Sequence, residues 1–325
     1  MNFVIYIHNP HNHEGGTLVE FELAKRISEN GYPVKVYYPF GSVHSGIFDE
    51  YAQLEDVNDD TVAIYCHATK GNPLNARTVV RWVIYSIEDN RHSLFGDNDI
   101  IYYHVPFCKS NITNQRLYVI SWSDKIVNRN KPRDVKVCYV VKKGIEYLKN
   151  QKRVKTGEFP HSFLTRKQYI WTKKINENNQ SVVEIPAYAY SQEQCIDLFN
   201  KSEYFFCYDP CTFLIIMATL CGCIVIQDPI DGYTEEEWMY ACGIPTRLKG
   251  VAYGIENIEY ARSTIQEAGE NKKQLMQASN LSITQFLRDM ESKSYNMDKC
   301  YKYHEAENCI GRGGGRGGVQ EWNRQ

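Results

Sequence analysis

The sequence predicts an α/β chain of two domains, each built on a mostly parallel sheet. Short β-rich apolar runs alternate with helical patterns from residue 3 to about residue 292, the signature of repeated strand–helix units covered on both faces. The length of 325 residues suits two domains of about 150 residues each. A polar cluster of Asp124, Asn128, Asn130, Lys131 and Pro132 places the junction between 121 and 134. The expected division is therefore 1–130, 131–305 and a tail, 306–325.

In the first half, residues 3–8 read as a strand and Thr17 to about Asn30 as a helix. Leu18, Phe21, Leu23, Ala24 and Ile27 form its apolar stripe. Thr17 is its candidate N-cap, paired with Glu20 in a capping box, and Gly31 its stop. Val34–Tyr38 and Thr61–Cys66 are further strands. Asn75–Ser86 reads as a helix rich in Val, with Trp82 and Ile84. Ile100–Tyr103 and Leu117–Ile120 complete the strands of this half.

The second half repeats the alternation. Val135–Val141, Val182–Pro186, Tyr204–Tyr208 and Ile224–Ile226 are strands. Helices are expected at Gln192–Lys201, Phe213–Leu220, 234–241, 256–268 and 271–292, while 150–180 is polar and Lys-rich. The tail Gly311–Gly318, rich in Gly and Arg, cannot build a core and is expected to be disordered. Arg-Gly-Gly repeats can bind single-stranded RNA, but two arginines are too few to carry that reading.

Composition excludes several classes. Lys+Arg 37 against Asp+Glu 39 gives a formal charge of −2, which supplies no electrostatic reason to expect duplex nucleic acid or an anionic membrane as main partner. The longest apolar run, Phe213–Cys221, falls far short of the roughly 20 residues of a membrane span. The first residues lack the basic start and cleavage site of a signal peptide. Eleven cysteines, an odd number, argue for reduced thiols. A cytoplasmic protein is expected.

The stretch Tyr204–Thr212 leading into the 213–222 helix carries the chemistry. Asp209 is a helix N-cap type and Pro210 suits the first helical position. A strand would thus deliver a helix N-terminus at its carboxyl end, where open α/β sheets bind ligands and where free N–H groups suit phosphate. Thr212 would add a hydroxyl donor. The plainer alternative is that Asp209 and Thr212 only cap the helix.

These residues carry a resemblance. Cys195–Tyr204 through Leu220–Ile226 resembles the donor-binding domain of GT-B glycosyltransferases, closest to the bacterial S-layer rhamnosyltransferase branch. The matching elements are the Tyr208-Asp209-x-x-Thr212 step, the Ala218-x-Leu220-Cys221-Gly222 turn, Gly232-x-Thr234-x-Glu236-x-Trp238, Ala252-Tyr253-Gly254, and Lys142-Lys143-Gly144 after the first strand of that domain. They span roughly 135–290. The N-terminal domain matches only weakly, at Gly15-Gly16 and Asn72-Pro73 through Trp82. The resemblance implies two Rossmann-like domains with a central cleft holding a nucleotide-sugar as co-substrate and no further cofactor. It implies that Tyr208, Asp209 and Thr212 hold ribose and phosphates and that Lys143, beside Lys142, faces the diphosphate. Fixed positive charge there would stabilise the departing nucleoside diphosphate, making a metal unnecessary. One departure matters: retaining members place paired Glu residues across this helix, where this chain has Asp209 and Met217. The Met makes a retaining enzyme less expected than an inverting one.

The loop before the first helix supplies the other half of the chemistry. Gly15 and Gly16 let backbone approach a ligand closely. An inverting transferase needs a base to deprotonate the acceptor hydroxyl. His13 and Glu14 lead the candidates, ahead of Glu88 and His67, although each could be an incidental loop residue. His8-x-x-His11-x-His13 lacks a Cys or carboxylate partner at zinc spacing. Cys207, Cys211, Cys221 and Cys223 do not form paired CxxC knuckles and suit buried strand and helix ends. The expected function is sugar transfer from a nucleotide-sugar to a hydroxyl acceptor, a glycan. Alternatives are a nucleotide-sugar epimerase or phosphorylase, a non-catalytic nucleotide- or glycan-binding module, and DNA glucosylation. The last would need a basic groove, for which Lys-rich 142–174 is the sole candidate. Base recognition is expected around Pro186 to Tyr190, and the 24 tyrosines offer rings for sugar stacking.

Overall fold

The computed structural model describes residues 1–7, 15–40, 47–84, 95–108, 113–141, 181–185, 190–230 and 232–310, with side chains described as far as residue 293. Strands β1 (Asn2–Tyr6), β2 (Val34–Tyr37), β3 (Thr61–Cys66), β4 (Thr78–Val83) and β5 (Ile100–Tyr103) form one parallel sheet in the order β2-β1-β3-β4-β5. Strands β6 (Val135–Val140), β7 (Val182–Glu184), β8 (Ser202–Cys207), β9 (Ile224–Gln227) and β10 (Val251–Tyr253) form a second, in the order β10-β9-β8-β6-β7. Counted from its own first strand, the second sheet repeats the topology of the first. In each, the strand order reverses between first and third strands, and the crevice at those carboxyl ends is where such sheets take ligands.

The strands form because their side chains are buried on both faces. In β8, Tyr204, Phe205, Phe206 and Cys207 are all buried, as are Phe3, Val4 and Ile5 in β1. Helix α1 (Gly15–Glu29) covers the first sheet through Phe21, Leu23, Ala24 and Ile27. It ends at Gly31, whose φ of +85° favours glycine. Helices α2 (Gln192–Lys201), α3 (Leu214–Leu220), α4 (Glu235–Ala241) and α5 (Ile258–Thr264) belong to the second half. Capping boxes start α2, where Ser191 pairs with Gln194, and α4, where Thr234 pairs with Glu237. The expected 256–268 helix is α5 flanked by 3-10 turns at Ile255–Asn257 and Ile265–Glu267.

The last helix, α6 (Gly269–Ile310), bridges both sheets. Leu275 packs in the core of the second sheet, whereas Ile283, Phe286, Leu287 and Met290 pack in the core of the first. Phe286 stacks edge-on against Tyr102 at 5.2 Å between ring centroids, and the Tyr102 hydroxyl donates to Asp289 at 3.0 Å. Helix α6 continues past residue 305, and 311–325 lie outside the described residues. Among the described residues, no helix is long and apolar enough to cross a membrane.

Four local expectations need correction. The segment expected as a helix from Asn75 to Ser86 holds strand β4 instead: its Thr and Val residues are β-branched, they pair with β3 and β5, and Asn75 sits at φ +49°. Leu117–Ile120 is buried but joins no ladder. Its Tyr118 and Ile120 N–H groups donate to the hydroxyls of Ser282 (2.8 Å) and Ser279 (3.2 Å) on α6. Thr17 is no N-cap, because α1 begins at Gly15 and buries Thr17 in its first turn, with Glu20 buried behind it. Asp209 and Pro210 do not open α3, which starts at Leu214 with Phe213 as N-cap. Side chains from elsewhere hold the carbonyls of both, so the 208–213 segment stays a loop.

Candidate functional site

A cavity of about 330 Å³ lies where the carboxyl ends of the two sheets meet. The first sheet contributes Gly15, Gly16 and Leu18 from the start of α1, Ile84 after β4, and His104 after β5. The second contributes Val140 at the end of β6, Ile185 after β7, and Asp209, Cys211 and Thr212 from the loop after β8. Met217 of α3 and Trp238 of α4 close the wall.

The loop after β8 is held by its backbone. Gln227 of β9 donates from Nε2 to the Asp209 carbonyl at 3.1 Å. Trp238 Nε1 donates to the Pro210 carbonyl at 2.9 Å, and Cys242 Sγ reaches the same oxygen at 3.3 Å. Two successive carbonyls are thereby tied to two different elements, which fixes the residues that follow them. Asp209 is 2% exposed. The Thr212 hydroxyl accepts from the Leu214 N–H at 3.4 Å and keeps its own proton free to donate.

The start of α1 is the better anion cradle. Its first turn carries no acidic side chain and lines the cavity at Gly15 and Gly16, so the helix dipole favours negative charge there. A Cβ on Gly15 would meet nothing within 4 Å, and one on Gly16 would come 3.7 Å from Ile84. Protein packing does not demand glycine at either position, so the bare backbone leaves room on the cavity side.

The structure brings Gly15, Gly16, Asp209 and Thr212 together around one cavity. Tyr208 is not part of its wall. The ring lies on the opposite face of the second sheet with Val137, Tyr139, Phe206 and Ile226. Its hydroxyl is buried with no hydrogen-bond partner among the described residues, and burial, with the Asp228 carboxylate nearby, pushes its pKa well up. His13, Glu14, Glu88, Lys142 and Lys143 lie outside the described residues. Lys142 and Lys143 follow directly on buried Val141, beyond the end of β6, whose Val140 carbonyl accepts from Tyr208 N–H at 3.0 Å.

Two residues escaped the sequence reading. His104 lines the cavity with its ring 5.7 Å from Trp82 and 5.4 Å from Tyr118. Its position just past a strand's carboxyl end was the available signal. Glu20, read as part of a cap, is buried on α1, and desolvation pushes its pKa up to about 8. Cys66 at the end of β3 feels that carboxyl group, and burial with Glu20 raises its thiol to about 11.

The described cysteines are free thiols. Among the described residues, no three His, Cys, Asp or Glu side chains are grouped as a metal would need.

No family model matches the sequence, and no curated protein matches it. Solved structures similar to the chain include a glycosyltransferase from Rickettsia africae, 12% identical over 91% of this chain and 97% of that one, with a TM-score of 0.43. A sucrose-phosphate synthase from Thermosynechococcus elongatus is 12% identical over 94% of this chain and 100% of that one, TM-score 0.42. An alpha-glucosyltransferase in complex with UDP-glucose and DNA containing an abasic site is 14% identical over 93% and 99%, TM-score 0.42. At these TM-scores none of the three bears on the chemistry of the site.

Proposed function

We propose that the chain is a glycosyltransferase that moves a sugar from a nucleotide-sugar donor to a hydroxyl acceptor on a glycan. The observation that carries this reading is the convergence of the glycine start of α1 and the pinned loop after β8 on one cavity, at the carboxyl ends of two sheets of matching topology.

The donor diphosphate rests against the N–H groups at Gly15 and Gly16 and accepts the Thr212 hydroxyl proton. Asp209, an acceptor only, takes ribose hydroxyls. Lys142 and Lys143 offset the charge of the departing nucleoside diphosphate, and transfer needs no metal. His104, at the cavity wall, joins His13, Glu14 and Glu88 as a base for the acceptor proton. Met217 lines the cavity where a retaining enzyme of the resembled family carries Glu, which favours inversion.

Calorimetry with UDP, GDP, ADP, CDP and dTDP tests the donor half. At least one should bind, and hydrolysis or transfer of its sugar conjugate should fall when Lys143 is replaced by Ala. Silence across the five would overturn the reading. Met217 also sustains a second reading, a nucleotide-binding module without turnover. Donor binding with neither hydrolysis nor transfer would select it.

A further inference from the structure

Two thiols from separate elements meet in the wall of the cavity. Cys211 belongs to the loop after β8, and Cys242 caps the carboxyl end of α4, where its N–H donates to the Trp238 carbonyl at 3.0 Å. The Cys242 Sγ lies 3.3 Å from the Pro210 carbonyl oxygen. That oxygen belongs to the peptide unit joining Pro210 to Cys211, and in a trans peptide it stands about 2.8 Å from the following Cα. The Cys242 sulfur is thus no more than about 6 Å from the Cys211 Cα, and a hydrogen bond between the two side chains spans the remaining gap. Sulfurs already in contact need only a small turn of their side-chain torsions to reach the about 2.05 Å of a disulfide.

The neighbouring thiols are sealed or engaged. Cys108 is buried and donates to the Ile84 carbonyl at 3.1 Å, and Cys207 is buried within β8, its Sγ on the Asp209 carbonyl at 3.5 Å. Cys211 and Cys242 are each only half-buried and both line the cavity. Its volume of about 330 Å³ admits a solute as small as a peroxide. The bond with Cys211, and burial after it, push the Cys242 thiol well above its usual range. Cys242 therefore keeps its proton, which leaves Cys211 to react first.

We propose that Cys211 and Cys242 form a reversible disulfide in the cavity wall, made by a hydroperoxide and undone by a dithiol. In the first step the Cys211 sulfur attacks the peroxide. An S–O bond forms, the O–O bond breaks, and the thiol proton leaves with the displaced hydroxide as water. In the second, the Cys242 sulfur displaces the hydroxyl from Cys211 sulfenic acid, and the Cys242 proton carries it off as water. Two thiols lose two electrons and the peroxide gains them. The disulfide has no S–H to give the Pro210 carbonyl, and it draws Cys211, the residue before Thr212, towards α4. Oxidation thereby lowers affinity for the nucleoside diphosphate, a consequence that rests on the transferase reading above.

The test uses the full chain, first reduced, then exposed to hydrogen peroxide, then returned to dithiothreitol. Chymotryptic cleavage after Tyr208, Phe213 and Tyr240 separates Cys211 from Cys242 and both from Cys207. Peroxide should link the two peptides with loss of two hydrogens, and dithiothreitol should part them. Affinity for whichever of UDP, GDP, ADP, CDP and dTDP the reduced chain binds should fall about tenfold on oxidation and recover on reduction. In Cys211→Ser, and in Cys242→Ser, whose hydroxyl can still donate to the Pro210 carbonyl, affinity should be indifferent to peroxide. Sulfinic acid on Cys211 without a link, a link to Cys108 or Cys207 instead, a link that leaves diphosphate affinity unchanged, or an equal loss of affinity in Cys242→Ser would each overturn the proposal. Binding of none of the five by the reduced chain would count against the transferase reading, while the linked peptides would still decide the disulfide.

Discussion

Gln227 of β9 donates its side-chain N–H to the Asp209 carbonyl at 3.1 Å, and both residues are buried. The same Nε2 also donates to the Asp228 carbonyl at 3.0 Å. One amide thus ties the ends of two neighbouring strands and sets the height of the loop that forms the cavity wall. Gln227→Leu removes a donor from the buried Asp209 carbonyl and the half-buried Asp228 carbonyl and should lower unfolding free energy by about 1–3 kcal/mol in urea titration. It should also weaken nucleoside diphosphate binding, because Thr212 rides on the same loop. Intact diphosphate affinity would show that the loop keeps its place without this bond.

At Gly15, replacement by Ala should leave thermal stability within about 1 kcal/mol of the parent, since the added methyl meets no protein atom within 4 Å. Affinity for the nucleoside diphosphate should fall about tenfold or more if phosphate packs against that backbone. Thr212→Val should cost about 1 kcal/mol of donor affinity. Calorimetry on both variants checks the pair, and unchanged affinity in each would remove α1 and the β8 loop from the donor site.

Glu20 makes stability depend on pH. Its folded pKa, about 8, lies above its usual 4.5, so between those values the unfolded chain releases a proton that the folded one keeps. Stability is therefore full below about pH 4.5 and declines as pH rises towards 8, after which the loss is complete, on the order of 5 kcal/mol. Glu20→Gln should flatten this slope and be the more stable chain at pH 8.5. Parallel pH–stability curves for the two proteins would show that the carboxyl group is already ionised in the fold.

Ser279 and Ser282 hold the buried Leu117–Ile120 segment. Their hydroxyls accept the N–H groups of Ile120 and Tyr118, so the double change to Ala strands two backbone donors. A loss of about 2–5 kcal/mol is expected by denaturant unfolding. A loss below 1 kcal/mol would mean that water replaces the hydroxyls.

How far the sequence reveals this molecule depends on the range of the interactions. Strands such as Thr61–Cys66 and Tyr204–Cys207 are legible because β-branched and aromatic residues concentrate in short runs. β4 is not, because Val79, Trp82 and Val83 also fit a helical stripe, and only pairing with β3 and β5 settles the choice. The Asp209-Pro210 step reads locally as a helix start. Gln227 and Trp238, residues of other elements, capture the two carbonyls and move the start of α3 to Leu214. Leu117–Ile120 looks like a strand because it is apolar, yet after Leu117, whose N–H goes to the Tyr103 carbonyl, the N–H groups of Tyr118 and Ile120 turn to serines on the last helix. For the site, the glycine pair was legible as a place of close approach and Thr212 as a hydroxyl near it. His104 was not, since a lone His after a strand has no local pattern around it.

The bridging course of α6 has a consequence for synthesis. Phe3 and Tyr102 emerge from the ribosome long before Phe286, the ring that covers them both. The amino-terminal half must therefore wait, with part of its apolar surface uncovered, until the chain is almost finished. A nascent chain stopped at residue 268 should accordingly be captured by a holdase chaperone, whereas the released protein should not.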